Sequence, residues 1–512
     1  MDINASPEAT DQQTVLSAVH GQGATDGHPD APNRWLALVI LSLAQLMVIL
    51  DSTIVNIALP TAQRDLGFSN NDRQWVVTGY ALAFGSLLLL GGRLADLFGR
   101  KRLFITGVIG FAVASAVGGA ATGFEMLLVA RVAQGAFAAL LAPAALSLLS
   151  VTFADDATER GRAFGIFGAV SGAGGALGLL LGGILTQSVS WRWCLYVNLI
   201  IAAMALVGAL IWLREGERPE RVRLDTAGTV TVVLGLVGIV YGLGNAASKG
   251  WTDVWTLGAV IAGVALIIIF VLVERCASHP LLPLGVLLDR TRGTAYLSVG
   301  ITGIGSFAVF LFLTYYLVDT LKFTPIQSGI AFLPMVGSLI VGAVVSGAAL
   351  MPRIGPRPLV PVGCLLGASG LALLTGIGTT STYAGGVLPA LLVLGFGLGF
   401  VFGPAQNAAT SGVKSNEAGV AAAMVNTAQQ IGGSIGTAVF SALAAAASAN
   451  YLQAHAATAM QMATIVDGTI ASYHLVFWIA AATFLVSGVL AALLFRSGPL
   501  PVDPDAAPIA MH

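Results

Sequence analysis

Charge is what this sequence has least of. Asp, Glu, Lys and Arg make up 10% of the 512 residues while 56% are hydrophobic, whereas a soluble globular chain carries about 25% charged residues. A soluble domain is thereby excluded, and the net charge of −1 leaves no basic excess with which to hold nucleic acid. Cysteine is nearly missing: Cys194, Cys276 and Cys364 fall at different expected depths in a membrane and imply no disulfide framework. There is no G-x-x-x-x-G-K-[ST] phosphate loop and no H-E-x-x-H pair, and the six histidines are scattered. ATP-driven transport and zinc hydrolysis are therefore unsupported; the chain is read as no enzyme, with no cofactor and no metal.

What fills the chain instead is apolar sequence in windows of about 18 residues or more, each long enough to cross a ~30 Å hydrocarbon core. Fourteen such windows lie near 35–60, 74–92, 103–121, 124–150, 162–186, 194–213, 226–246, 255–273, 294–318, 327–350, 359–378, 386–409, 418–447 and 473–495. The expected fold class is an all-α polytopic membrane protein. With the N-terminus cytoplasmic, eighteen of the 24 Lys and Arg residues fall inside, five outside, and Arg131 within a span. That bias sets an orientation with both termini cytoplasmic and supports the count of fourteen. The first 33 residues are polar, hold no Lys or Arg, and lack the basic start and short apolar core of a cleaved signal. They read as a disordered cytoplasmic tail.

The loop "GRLADLFGRKR" (92–102) has a degraded copy in "AALMPRIGPRPL" (348–359), with Pro352 where Asp96 stands. Such an internal repeat points to two bundles around a central axis, a recurrent transporter plan with the substrate site between them. The expected organisation is a tail at 1–33, a six-helix bundle at 34–213, a linker with inserted helices 7 and 8 at 214–292, a second six-helix bundle at 293–496 and a tail at 497–512.

Five stretches carry a resemblance. "LDSTIVNIALP" (50–60), "GRLADLFGRKR", "RVAQGAFAALLAP" (131–143), "WRWCLYVN" (191–198) and "ERCASHPLLPL" (274–284) together resemble the fourteen-spanner drug:proton antiporter branch of the major facilitator superfamily. The resemblance covers nearly the whole chain. It implies the major facilitator fold and export of drugs by alternating access, in a plasma membrane, by a monomer whose partners are a small hydrophobic substrate, protons and lipid. One departure stands in "GGALGLLLGGIL" (174–185), where Leu179 occupies the place of the proline in that branch's antiporter motif, so no kink is expected there.

Two charges inside apolar runs are the candidate proton-coupling pair. At about 1.5 Å per residue, Asp51 lies roughly 24 Å above the inner start of its helix, and Arg131 lies roughly 20 Å above the inner face of a ~30 Å core. The two share a level, and in the fold implied by the resemblance their helices are neighbours. Burial favours the neutral form of a carboxyl group and a nearby guanidinium favours the charged form, so a moving arginine switches proton affinity. The bland alternative is a static ion pair that pins two helices. Gln45, Asn56 and Gln134 read as polar packing between helices.

In the loop motif, Gly92 is expected to permit close approach, with Asp96 and Arg100 latching the cytoplasmic gate; the competing reading is topogenic. Phe310, Tyr315, Phe402, Gln406 and Asn407 are the candidate substrate pocket, mostly apolar with two orienting amides. No carboxylate other than Asp51 sits deep in an expected span, which fits a neutral or weakly charged hydrophobic antibiotic. The alternative function is a proton-linked symporter or facilitator of a small metabolite.

Overall fold

The computed structural model describes residues 31–498 apart from 71, 154–156, 214–224, 278–280, 283, 412–417 and 457–460. The tails and most of the 214–225 linker lie outside the described residues. Among the described residues, fourteen helices are long and apolar enough to cross a membrane. In chain order they are α1 (Ala31–Leu66), α2 (Arg73–Phe98), α3 (Arg100–Gly119), α4 (Phe124–Thr152), α5 (Ala157–Ser188), α6 (Trp193–Trp212) and α7 (Thr226–Lys249). They continue as α8 (Val254–Cys276), α9 (Arg290–Tyr315), α10 (Pro325–Val344), α11 (Pro356–Leu374), α12 (Leu388–Thr410), α13 (Ala418–Ala454) and α14 (Met462–Leu494). Helices are the form such runs must take, because lipid offers no partner for an unpaired backbone N–H or C=O. Polar caps hold the rims: Asp253 accepts from the N–H groups of Trp255 and Thr256, and Thr324 forms a capping box with Gln327 ahead of Pro325.

The packing repeats with an offset of eight helices. In the first bundle α2 packs on α4, α3 on α4, α1 on α5, α3 on α6 and α1 on α6; in the second α10 packs on α12, α11 on α12, α9 on α13, α11 on α14 and α9 on α14. The bundles meet along two seams of the same kind, α2 with α13 and α10 with α5. Helices α7 and α8 pack on each other, and α7 braces the α2/α13 seam alone. This is the major facilitator fold, two six-helix bundles with an inserted pair. The two loop copies turn alike: Gly99 at φ +98° bonds back to the Ala95 carbonyl at 3.1 Å, and Gly355 at φ +74° to the Met351 carbonyl at 3.0 Å. Only glycine takes that backbone without strain.

Small residues let the helices close. Gly91 of α2 presses on the carbonyl of Ala139 in α4, and a Cβ at Gly183 of α5 would lie 2.6 Å from the carbonyl oxygen of Pro325 in α10. The end that carries the α1–α2 turn is called the first-turn end here, and the end that carries Gly99 the second-turn end. The stripe of α5 that touches α10 at Leu179, Gly183 and Gln187 meets nothing at Gly165, Gly168 or Gly175, and Gly337 of α10 also faces open space. The α5/α10 seam is thus shut at the first-turn end and parted toward the other. Helix α5 runs unbroken through buried Leu179, as the missing proline requires.

Candidate functional site

Asp51 of α1 and Arg131 of α4 are both fully buried, with Arg131 Nη1 donating to Asp51 Oδ2 at 2.6 Å. The shared depth read from the sequence is a direct contact. The pair is the centre of a network that draws on five helices. Gln134 Nε2 of α4 and Asn198 Nδ2 of α6 donate to Asp51 Oδ1 at 3.0 and 2.7 Å. Arg131 also donates to Gln134 Oε1 at 2.9 Å and from Nε to the Val76 carbonyl of α2 at 3.3 Å, while its guanidinium lies 4.3 Å from the ring centre of Tyr80. Gln134 Nε2 donates in addition to Ser115 Oγ of α3 at 2.7 Å. A carboxylate with three donors and a guanidinium with three acceptors and one ring face meet the condition under which buried charge is tolerated.

This network lies wholly within the first bundle, away from both seams. Beside it is a void of about 10 Å³ whose wall includes Ala62, Leu127, Arg131, Trp191 and Cys194, about room for one water. Asn198 Oδ1 is buried with no partner, an acceptor left over at the carboxylate's side. Gln134, read as packing, is a member of the site, and Asn198, Ser115 and Tyr80 were missed. A polar residue six positions after Arg192 in the "WRWCLYVN" stretch was the available signal. The same stretch clamps the first-turn end: Trp191 Nε1 and Arg192 Nη2 donate to Asp65 Oδ2 at 2.9 and 3.2 Å, and Arg192 Nη1 caps α3 at the carbonyl of Gly119.

The remaining candidates separate. At the loop motif, Gly92 has only Pro143 near it, at 3.8 Å from an added Cβ, and the close approach belongs to Gly91 because it is Gly91 that faces α4. Arg100 is half-buried at the first residue of α3, and the side chain of Asp96 lies outside the described residues. Neighbouring Lys101 caps α6, donating to the Leu213 carbonyl at 2.5 Å. The five pocket residues do not converge. Tyr315 is buried at the first-turn end, its hydroxyl donating to Gln63 Oε1 at 2.6 Å. Gln406 and Asn407 are exposed within one turn of the opposite end of α12, roughly 30 Å away along the helices at 1.5 Å per residue. Phe310 stacks on Phe332 at 5.4 Å between centroids, and Phe402 is half-buried between the two main apolar clusters. A linear list of aromatic and amide residues carries no depth, and these five lie at different levels of α9 and α12.

Glu274 of α8 is a second buried carboxylate that the sequence reading passed over. It accepts from the N–H groups of Leu281 and Leu282, both at 3.1 Å, and so ties the "ERCASHPLLPL" stretch to the inserted pair. "GGSIG" (432–436) has the spacing of a nucleophile elbow. It lies mid-helix in α13 with Gly432 and Gly436 pressed on the carbonyls of Gly300 and Ile304, and Ser434 Oγ donating to the Gln430 carbonyl.

Two bundles with the same packing repeated eight helices apart, an inserted pair and a charge network sealed inside one bundle are the architecture of a membrane transporter. The model of the Major Facilitator Superfamily matches residues 41–437, and the chain belongs to that superfamily. It is 47% identical over 484 residues to the puromycin resistance protein pur8 of Streptomyces alboniger, covering 94% of this chain and 95% of that one. It is 37% identical over 415 residues to the tetracenomycin C resistance and export protein of Streptomyces glaucescens, covering 80% and 76%, and 35% identical over 427 residues to the cephamycin export protein CmcT of Amycolatopsis lactamdurans, covering 83% and 88%. Among solved structures, an inward-facing bacterial homologue of the human lysosomal transporter Spinster matches with a TM-score of 0.61 at 16% identity, covering 90% of this chain and 98% of that one.

Proposed function

We propose that this chain exports hydrophobic, neutral or weakly charged antibiotics across the plasma membrane in exchange for protons, as a monomer of the fourteen-spanner drug:proton antiporter branch. Both termini are cytoplasmic and the first-turn end faces out, an orientation supported by the Lys and Arg bias of the loops. The bundles are residues 34–213 and 293–496, with 214–292 as the linker and inserted pair. The α5/α10 seam, shut outside and parted inside, alternates between two states as the bundles rock, with Gly92, Asp96 and Arg100 as the inner latch. Gln406 and Asn407 line the inner mouth, with Phe310 and Phe402 deeper and Tyr315 at the outer end.

The observation that carries this reading is the buried Asp51–Arg131 contact at 2.6 Å. An ionisable pair is costly inside a bilayer and marks an ion or proton path. The proton enters from outside through the void between α1, α4 and α6, binds Asp51, and loosens its hold on Arg131 and Asn198. Because Asp51 is sealed from the seams, proton and substrate take separate routes and communicate through helix positions. Relatives that carry resistance to or export puromycin, tetracenomycin C and cephamycin support antibiotics as the cargo class. The test is a pump-deficient host expressing this chain against a panel of antibiotics, paired with inverted vesicles. Accumulation inside vesicles whose lumen is acidified is the expected result; accumulation that needs the opposite gradient marks a symporter and overturns export.

A further inference from the structure

At the first-turn end, Arg73 opens α2 and reaches across to the second bundle. Its guanidinium carbon lies 3.9 Å from the ring centre of Tyr315 and 5.9 Å from that of Phe312, both on α9. Phe312 meets Tyr473 of α14 edge to face at 5.7 Å. The Tyr315 ring is held in place by its hydroxyl bond to Gln63 Oε1 of α1. Arg73, Phe312, Tyr473 and the carboxylate of Asp319 share the wall of a chamber of about 720 Å³, whose opposite side is the small-residue face of α13. That volume is within the range that takes a drug-sized molecule. The backbone here is irregular: α9 ends in a π-helical turn over Tyr316–Thr320, and Lys322 stands at φ +58°. Such features gather where a chain moves or binds.

Aromatic faces around a cation, with a carboxylate on the same wall, are the chemistry that recognises an organic cation. We infer that the cage of Phe312 and Tyr315, backed by Tyr473 and with Asp319 on its wall, is a binding site for aromatic or quaternary organic monocations, filled here by the chain's own Arg73. Arg73 already lies over the Tyr315 face on the chamber wall that carries Asp319, so a bound cation takes the place of Arg73 rather than adding to it. Arg73 belongs to one bundle and its rings to the other, so an arriving cation that takes the rings also releases a cross-bundle contact. The place of this cage on the outward side rests on the orientation proposed above; the binding itself does not.

The test is a double replacement in the purified full-length protein, read by fluorescence anisotropy with ethidium as the cation and N-phenyl-1-naphthylamine as a neutral aromatic probe. Arg73→Ala empties the cage and is expected to bind ethidium about tenfold more tightly than wild type, with the neutral probe unchanged. Adding Tyr315→Leu or Asp319→Asn to Arg73→Ala is expected to remove the gain. Arg73→Gln serves as the second vacating variant should Arg73→Ala not yield monodisperse protein, and Phe312→Leu serves likewise for Tyr315→Leu. An unchanged ethidium affinity on vacating the cage overturns the inference. So does an equal gain for both probes, or a gain that survives loss of the ring and the carboxylate. Because binding is measured without a gradient, a chain that binds in this way yet fails to export sinks the export reading alone.

Discussion

The main helix contacts of α1–α6 recur in α9–α14, yet the polar groups buried inside the two bundles differ in kind. In the first bundle Asp51, Arg131, Gln134, Asn198 and Ser115 bond to one another across four helices. In the second, buried hydroxyls mostly turn back on their own helices: Thr302 Oγ1 donates to the Ser298 carbonyl at 2.7 Å, Ser306 Oγ to that of Thr302 at 2.8 Å and Thr437 Oγ1 to that of Gly433 at 2.8 Å. Among the described residues no charged side chain is buried in α9–α14. The second bundle joins its helices by contacts between small residues and by bonds such as those from Ser346 Oγ to the Gly399 carbonyl and from Ser487 Oγ to the Ser298 carbonyl, without such a buried charge. The charges of the first are therefore surplus to assembly, and surplus charge in a membrane points to function.

Asp51→Asn is the replacement expected to have the largest effect on export, because it removes the one carboxylate buried among the described residues of the first bundle and leaves Arg131 without its counter-charge. The amide keeps the shape and cannot release a proton. Uphill export is expected to be abolished and drug binding in detergent retained. Substrate-induced proton release from purified protein is the decisive readout: wild type is expected to release protons and the variant is not. Undiminished uphill export with full proton release would reduce the pair to a static pin between α1 and α4.

Arg131 comes next. Arg131→Ala leaves a buried carboxylate with two neutral donors, a change that costs about 3–5 kcal/mol when one partner of a buried pair is removed. Thermal unfolding in detergent is expected to fall accordingly. Arg131→Lys keeps the charge but loses the fork that spans Asp51, Gln134 and the Val76 carbonyl, so a smaller loss is expected. Equal losses for the two variants would show that the charge is not what matters.

The fold was legible in the sequence because a membrane imposes one simple rule. Apolar length specifies a helix, and fourteen windows became fourteen helices. The ends were less so: α13 extends to Ala454 and α14 begins at Met462, since rim turns are polar and give no hydropathy signal. Asp51 and Arg131 were legible because a charge in an apolar run stands out and helix rise converts position to depth. Asn198 and Gln134 were not, because a neutral amide is as common in packing as in a site. The depths of the candidate substrate residues were not legible for a different reason. Gln406 and Tyr315 are similar in composition to a pocket wall, and only the direction of α9 and α12 tells that they face opposite ends.

The second bundle offers the control. Thr302→Ala, at a buried position on α9, removes a hydroxyl that bonds to the carbonyls of Ser298 and Val299. Both carbonyls remain available to the backbone ladder of the helix, so no buried group is orphaned. The expected cost is at most about 1 kcal/mol, with export unchanged in vesicles. A collapse of export would mean that the second bundle also relays the proton, and the contrast between the bundles would be lost.

Charge reappears in the second half only at its rim, where Asp289 sits just ahead of α9. Its Oδ1 accepts from the N–H groups of Thr291 and Arg292, both at 3.0 Å, and Arg292 and Arg496 stand 3.9 and 3.6 Å from the carboxylate. Burial works to raise this carboxyl's pKa, but the N–H of Arg292, its guanidinium, the N–H of Thr291 and the charge of Arg496 outweigh burial and hold it below the usual 3.8. A carboxyl lowered on folding stabilises the native state above its unfolded value and loses that contribution as pH falls through its native one. Asp289→Asn keeps a good helix cap and removes only the charge, so the expected cost at neutral pH is below about 1 kcal/mol. The measurement is Tm for both proteins from pH 7 down to pH 3. The gap is expected to hold across the neutral range and to narrow only below the ordinary carboxylate value. A gap that closes near pH 6 would show that the carboxyl is not held low.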